Sequence, residues 1–219
     1  MRYKQTWPKK GDNPFFVKSV MPDSSTWASL GWLSSLNVDD SFLAGAFKES
    51  ADKIVESISR GEDLCHPDKF FMPITYLYRH SFELRLKDII SMGIELQLIE
   101  ETEKLKSIMQ DHQLYPLWNY AKRIIEKHWS DGPKEDLSAA ERIIQEFHNI
   151  DQSGQKLRYT RDMTGRSTLE SLPDSSELKE LRRVSEALFN FLLGCGEGLY
   201  HALEIRGEML HDYENEMTR

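Results

Sequence analysis

The chain reads as all-α: a helical bundle preceded by an irregular N-terminal arm. Three observations carry this. Apolar residues return every three or four positions over 70–92, 114–125 and 175–217, which is helical spacing. No stretch alternates apolar and polar residues in the manner of a half-buried strand, and no internal repeat is present. The 219 residues suffice for one full core, so one domain over 39–219 with an arm over 1–38 is expected.

In the arm, Pro8, Pro14, Pro22, Gly11 and Gly31 break regular structure, while Trp7, Phe15, Phe16, Trp27 and Trp32 are costly to leave in water. It is either a strap over its own core or a docking arm. Asp39 or Asp40 can cap a first helix running to Ser59, with Phe42, Leu43, Ala46, Phe47, Ile54 and Ile58 as its apolar stripe. Arg60-Gly61 ends it, and a loop leads to the central helix, 70–92, which Met92-Gly93 is expected to close. An irregular acidic segment with room for a short helix follows over 94–110. A third helix enters near Leu114, tolerates Pro116 in its first turn, and buries Leu117, Trp118, Ala121, Ile124 and Ile125. Ser138 with Glu141 forms a capping-box pattern for a fourth helix ending near Ile150. Residues 151–173 have no helical period and form a long, basic loop. The last helix covers 175–217, and Gly194, Gly196 and Gly198 in its middle mark a kink or a close helix contact.

The formal charge of -8 argues against a general nucleic-acid coat protein, although a local basic patch can still meet a phosphate backbone. Cys65 and Cys195 show no paired spacing, and the N-terminus lacks the apolar core of a signal peptide, so a reduced, cytoplasmic protein is expected. No apolar run approaches the ~20 residues of a membrane span.

The central helix carries a charged stripe on an otherwise greasy surface. Spacing of three and four stacks Arg79, Glu83 and Lys87 along one line and leans His80 toward Glu83. Buried ions need partners, since an isolated one loses several kcal/mol of hydration. The stretch YLYRHSFELRLKDII, followed by DHQLYPLWNYAKRII, resembles the HEPN superfamily of helical bundles. Its matching positions are Glu83 and Lys87 on one helix, then Asp111, His112 and Leu114 in the turn that starts the next. KLRYTRDMTG resembles the R-Y-P-x-D loop of some members, with Thr160 in place of the proline. The resemblance covers about 70–200. It implies a role in a prokaryotic toxin–antitoxin or phage-defence system, as a homodimer or beside a protein partner. Many members are metal-independent ribonucleases with an R-x(4 to 6)-H motif; others are binding or regulatory bundles.

Four pairs fit that motif: Arg60 with His66, Arg123 with His128, Arg142 with His148, and Arg206 with His211. Thirteen arginines make chance hits expected, so the pattern alone decides little. Arg206, His211 and Tyr213 also fit R-x4-H-x-Y, seen in toxin members, but lie at the far end of the last helix. The second candidate is the cluster of Arg79, His80, Glu83, Lys87 and His112, with Arg158 or Arg161 from the loop. A histidine beside a carboxylate can act as general base and the cations can hold a phosphate; the alternative is an ion network that fixes helix register. The third is the loop itself, where Lys156, Arg158, Arg161 and Arg166 form a cationic patch for RNA, a nucleotide or an acidic partner, with Tyr159 placed for base stacking. His80 and Glu83 lack a third ligand in any metal pattern, so neither metal nor cofactor is expected. A non-catalytic binding or regulatory subunit is the first expectation, an endoribonuclease the second, and a nucleotide sensor the third.

Overall fold

The computed structural model describes residues 40–61, 66–132, 134–162 and 164–217. The expected arm over 1–38, Asp39 and Cys65 lie outside them. The described residues form six helices: α1 Asp40–Ser59, α2 Asp68–Glu95, α3 Glu103–Gln110, α4 Leu114–His128, α5 Lys134–Ile150 and α6 Leu178–Met217. A 3-10 turn, Leu169–Ser171, interrupts the loop before α6, and an isolated bridge between Arg161 and Ser167 is the only β pairing among these residues. No helix described is long and apolar enough to cross a membrane.

Helix α2 is the hub, packing against α1, α4 and α6, with α5 closing on α4 and α6. Its apolar residues explain the position. Ile74, Tyr78, Phe82, Leu86, Ile89 and Ile90 are all fully buried along one broad side, and Leu84 is buried on the opposite side, so neighbours must cover both. Trp118 is the bulkiest of the fully buried side chains and belongs to the α4 stripe read from the sequence, along with Leu117, Ala121, Ile124 and Ile125.

Two local expectations need correction, and a third, left between two readings, is decided. Gly93 does not end α2. It is buried inside the helix, where a Cβ would meet Ile124 Cγ1 at 2.7 Å, so the missing side chain serves the approach of α4. The chain turns at Gln97 instead, whose φ of 60° is left-handed. Gln97 N–H donates to Ile94 O at 2.9 Å and Leu98 N–H to Gly93 O at 2.9 Å, the paired bonds of a Schellman ending. Ser138 does not cap α5, which starts a turn earlier at Lys134; Glu141 is drawn instead to Lys122 Nζ at 2.7 Å and Tyr115 Oη at 3.2 Å. The glycines of α6 mark a contact and not a break. The helix runs through all three, and a Cβ on Gly198 would fall 2.6 Å from the Trp129 ring.

Elsewhere polar side chains end the helices. Thr102 Oγ1 accepts from Leu105 N–H at 3.2 Å to start α3, and the Glu177 carboxylate accepts from Lys179 and Glu180 N–H at 3.0 and 2.6 Å to start α6. A buried knot ties α1, α2 and α6 together. Tyr78 Oη donates to Asp52 Oδ1 at 2.6 Å, Lys48 Nζ stands 2.8 Å from Asp52 Oδ2, and Arg182 Nε 3.3 Å from Asp52 Oδ1. Burial, then the Asp52 carboxylate, pushes the Tyr78 phenol far above its ordinary value.

Candidate functional site

The stripe on α2 is assembled as its spacing requires. Arg79 Nη1 donates to Glu83 Oε2 at 3.2 Å, and Lys87 Nζ to Glu83 Oε1 at 2.9 Å. The turn before α4 then brings His112 Nδ1 to 2.8 Å from Glu83 Oε1, while His80 Nδ1 stands 4.0 Å from Oε2. Asp111 shapes that turn by accepting from His112 N–H and Gln113 Nε2, both at 2.9 Å. Glu83 is 2% exposed. Burial alone would raise its pKa, but the donors His80, Lys87 and His112 outweigh it and hold the carboxyl well below the usual carboxylate range.

Arg79 is 1% exposed, and each of its three guanidinium nitrogens makes a hydrogen bond. Besides Glu83, its Nη2 donates to the carbonyl of His112 and its Nε to that of Asp151 at 3.1 Å. Asp151, itself fully buried, organises the start of the basic loop. Its Oδ1 accepts from Gln155 N–H at 3.0 Å and its Oδ2 from Leu157 N–H at 3.4 Å. Gly154 permits this winding: its φ is +72°, and a Cβ there would lie 2.8 Å from His112 Cβ.

From this anchor the loop reaches out over α2. The guanidinium of Arg158 lies 5.8 Å from the Tyr76 ring and 5.8 Å from that of Tyr159. Tyr76 in turn stacks on His80 at 5.7 Å with 6° between planes, and Phe47 meets His80 edge-on at 4.5 Å. A ladder of rings, with the Arg158 guanidinium set between Tyr76 and Tyr159, therefore joins α1, α2 and the loop. Arg158 and Tyr159 are exposed, Tyr159 by 58%.

The loop's far end is a small hairpin built on Asp162, whose Oδ1 accepts from Thr164 N–H and Oγ1 at 2.8 and 2.6 Å and from Arg166 N–H at 3.0 Å. Those bonds lower its pKa. Arg161 donates to Gly165 O at 2.9 Å and so belongs to the hairpin and not to the α2 cluster. Lys156, Tyr159, Arg161, Asp162, Thr164 and Thr168 line a cleft of about 660 Å³ beside the ladder. Arg166 is exposed on the same hairpin. A larger cleft of about 840 Å³ lies between α4, α5 and α6, floored by Trp129, Leu137, Phe191 and Cys195, and holds none of the expected site residues. Burial pushes the Cys195 thiol up to about 11, so it is protonated there at neutral pH.

Arg206, His211 and Tyr213 are not brought together as a site. They ride one unbroken helix, on which five residues turn the chain by about 140°, so Arg206 and His211 face different ways. Arg206 Nη1 donates to Glu95 O at 2.6 Å, helping to close α2, while His211 and Tyr213 are exposed. Of the other pairs, Arg123 and His128 lie against Tyr120 and Trp129, and His148 stacks on Tyr115 with its pKa lowered by burial and by Arg79. Arg60 pairs with Glu56 at 3.7 Å, and His66 is exposed.

Asp151 and Tyr76 were missed in the sequence. Tyr76 carries a usable signal, lying one turn before His80 on the same face; Asp151 carries none, since its partner is 72 residues away. Among the described residues no three His, Cys, Asp or Glu side chains converge to hold a metal. No protein-family model, curated protein or solved structure matches the chain. The HEPN-like reading rests on its short motifs and their order along the chain.

Proposed function

We propose that this chain is a HEPN-like bundle acting as a non-catalytic binding or regulatory subunit of a prokaryotic defence or toxin–antitoxin complex, with RNA held on the Tyr76–Arg158–Tyr159 face. The observation that carries this is the state of Arg79. A catalytic arginine must offer donors to a scissile phosphate, and this one, itself 1% exposed, gives donors to Glu83 and to two main-chain carbonyls. The solvent-facing Arg158 of the loop lies between the half-buried Tyr76 and the exposed Tyr159, which suits grip and stacking more than bond cleavage.

The second reading, a metal-independent endoribonuclease, draws on the two imidazoles grouped about Glu83. The His112 side chain is 52% exposed, so it can reach a ligand while the carboxylate sets its tautomer. One experiment separates the two. Purified protein is incubated with total and transfer RNA in excess EDTA, and binding of a labelled single-stranded RNA is followed by anisotropy. On the binding reading nothing is cut, and Arg158→Ala or Tyr159→Ala weakens binding roughly tenfold, the order of one lost stacking contact. Cleavage that His112→Ala or His80→Ala abolishes at unchanged melting temperature establishes the nuclease instead. A labelled mononucleotide that binds and is not displaced by RNA marks a nucleotide site.

A further inference from the structure

The C-terminal end of α6 keeps core patterning where there is no longer a core. Inside the bundle this helix buries Leu188, Leu192, Cys195 and Leu199. At about 100° per residue, the same face continues through Ala202, Met209, Leu210, Tyr213 and Met217, with Arg206 among them and Ile205 beside its edge. Yet every residue from 207 to 217 is exposed, Met209 by 66%, Leu210 by 55%, Tyr213 by 60% and Met217 by 72%. Arg206, bonded to Glu95 O, marks the level at which α2 ends and α6 goes on for about three more turns.

Two rows at four-residue spacing run side by side along this end. One is apolar: Ile205, Met209, Tyr213, Met217. The other is acidic: Glu204, Glu208, Asp212, Glu216. We propose that residues 202–217 form a docking helix for a protein segment presenting an apolar ridge flanked by a row of Lys or Arg. The charge pattern selects this occupant over a second copy of the chain. Antiparallel two-fold pairing sets like flank against like flank, bringing acidic row to acidic row. Parallel pairing needs a row of cations, and over 202–217 Arg206 is the sole Lys or Arg. Ridge-on-ridge packing along four-residue rows is the commonest geometry for such a contact. The proposal is independent of the RNA face.

The test uses the full chain and two designed helical peptides with the same leucine ridge, one flanked by lysines and one by glutamates. Anisotropy is read at about 50 and 300 mM salt, conditions that bracket the screening of surface charge, and sedimentation of the chain alone is measured alongside. The lysine peptide binds and weakens with salt, and Met209→Ser/Met217→Ser loosens it by about tenfold or more. Glu208→Lys/Asp212→Lys switches preference to the glutamate peptide. Both variants keep the wild-type melting temperature, because these positions lie beyond the packed part of α6. Three results overturn the proposal: neither peptide binds, binding is indifferent to both variants, or the chain sediments as a dimer that Met209→Ser/Met217→Ser splits, which makes a second copy the occupant.

Discussion

Replacing Glu83 by glutamine keeps the size of the side chain and removes only its charge. Arg79 and Lys87, 1% and 14% exposed, then face a neutral amide where a carboxylate stood at 3.2 and 2.9 Å. Breaking a buried ion pair from one side typically costs about 3–5 kcal/mol, because the remaining charge keeps its desolvation penalty without its partner. A domain of this size loses roughly 2–4 °C of Tm per kcal/mol, so Glu83→Gln should melt roughly 6–20 °C lower at neutral pH. Adding Lys87→Met removes one orphaned charge and should restore part of that loss. The pH dependence supplies a sharper signature. The folded-state pKa of Glu83 is depressed, so its contribution is complete above the ordinary value of 4.5 and is lost as pH falls toward the folded value. Wild type and Glu83→Gln should therefore converge in stability below about pH 4.5. Urea unfolding followed by circular dichroism at several pH values reads both effects. A neutral-pH difference under about 1 kcal/mol, or one that does not shrink in acid, refutes the account of this network as a buried, mutually compensated ion cluster.

Two further substitutions test how α2 ends and packs. Gly93→Ala places a methyl group 2.7 Å from Ile124 Cγ1 and 3.0 Å from Cγ2 and should cost about 1–3 kcal/mol in urea unfolding, with Ile124→Val restoring part of it. Gln97→Gly relieves a left-handed residue at the Schellman position and should raise stability by about 1 kcal/mol, seen as a higher urea midpoint at unchanged slope.

The registers of α2 and α4 were legible because they are local: Leu117 to Ile125 repeat at helix spacing, and Arg79, Glu83 and Lys87 must share a line on any helix. The α1 stripe was misread, since Phe42, Leu43 and Ala46 are exposed while Ala44, Ala51 and Val55 are buried. The ends were less legible, because one residue type serves two purposes. Gly93 has the signature of a helix terminator, yet what it admits is Ile124, a residue with no sequence proximity to it. Ser138 and Glu141 match a capping box that also occurs by chance inside helices, and the pull of Lys122 on Glu141 appears only once α4 and α5 are paired. In the candidate site, His112 meets Glu83 from the turn before α4. Arg158 joined through Tyr76, and Arg161 turned away because Gly165 O offers it a nearer acceptor. The Asp52–Tyr78–Arg182 knot had no local trace, its members coming from three helices spread along the chain.

Arg79 touches the main chain at two places, His112 just before α4 and Asp151 just after α5. The whole α4–α5 hairpin thus leaves and re-enters the hub at one guanidinium, as a loop of yarn passes through a single stitch. The free energy of closing a loop grows only with the logarithm of its length, about 0.6 kcal/mol per doubling. Such a hairpin can therefore vary in length and outer surface at small cost, provided that Leu117, Trp118, Ala121 and Ile124 keep their places against the hub.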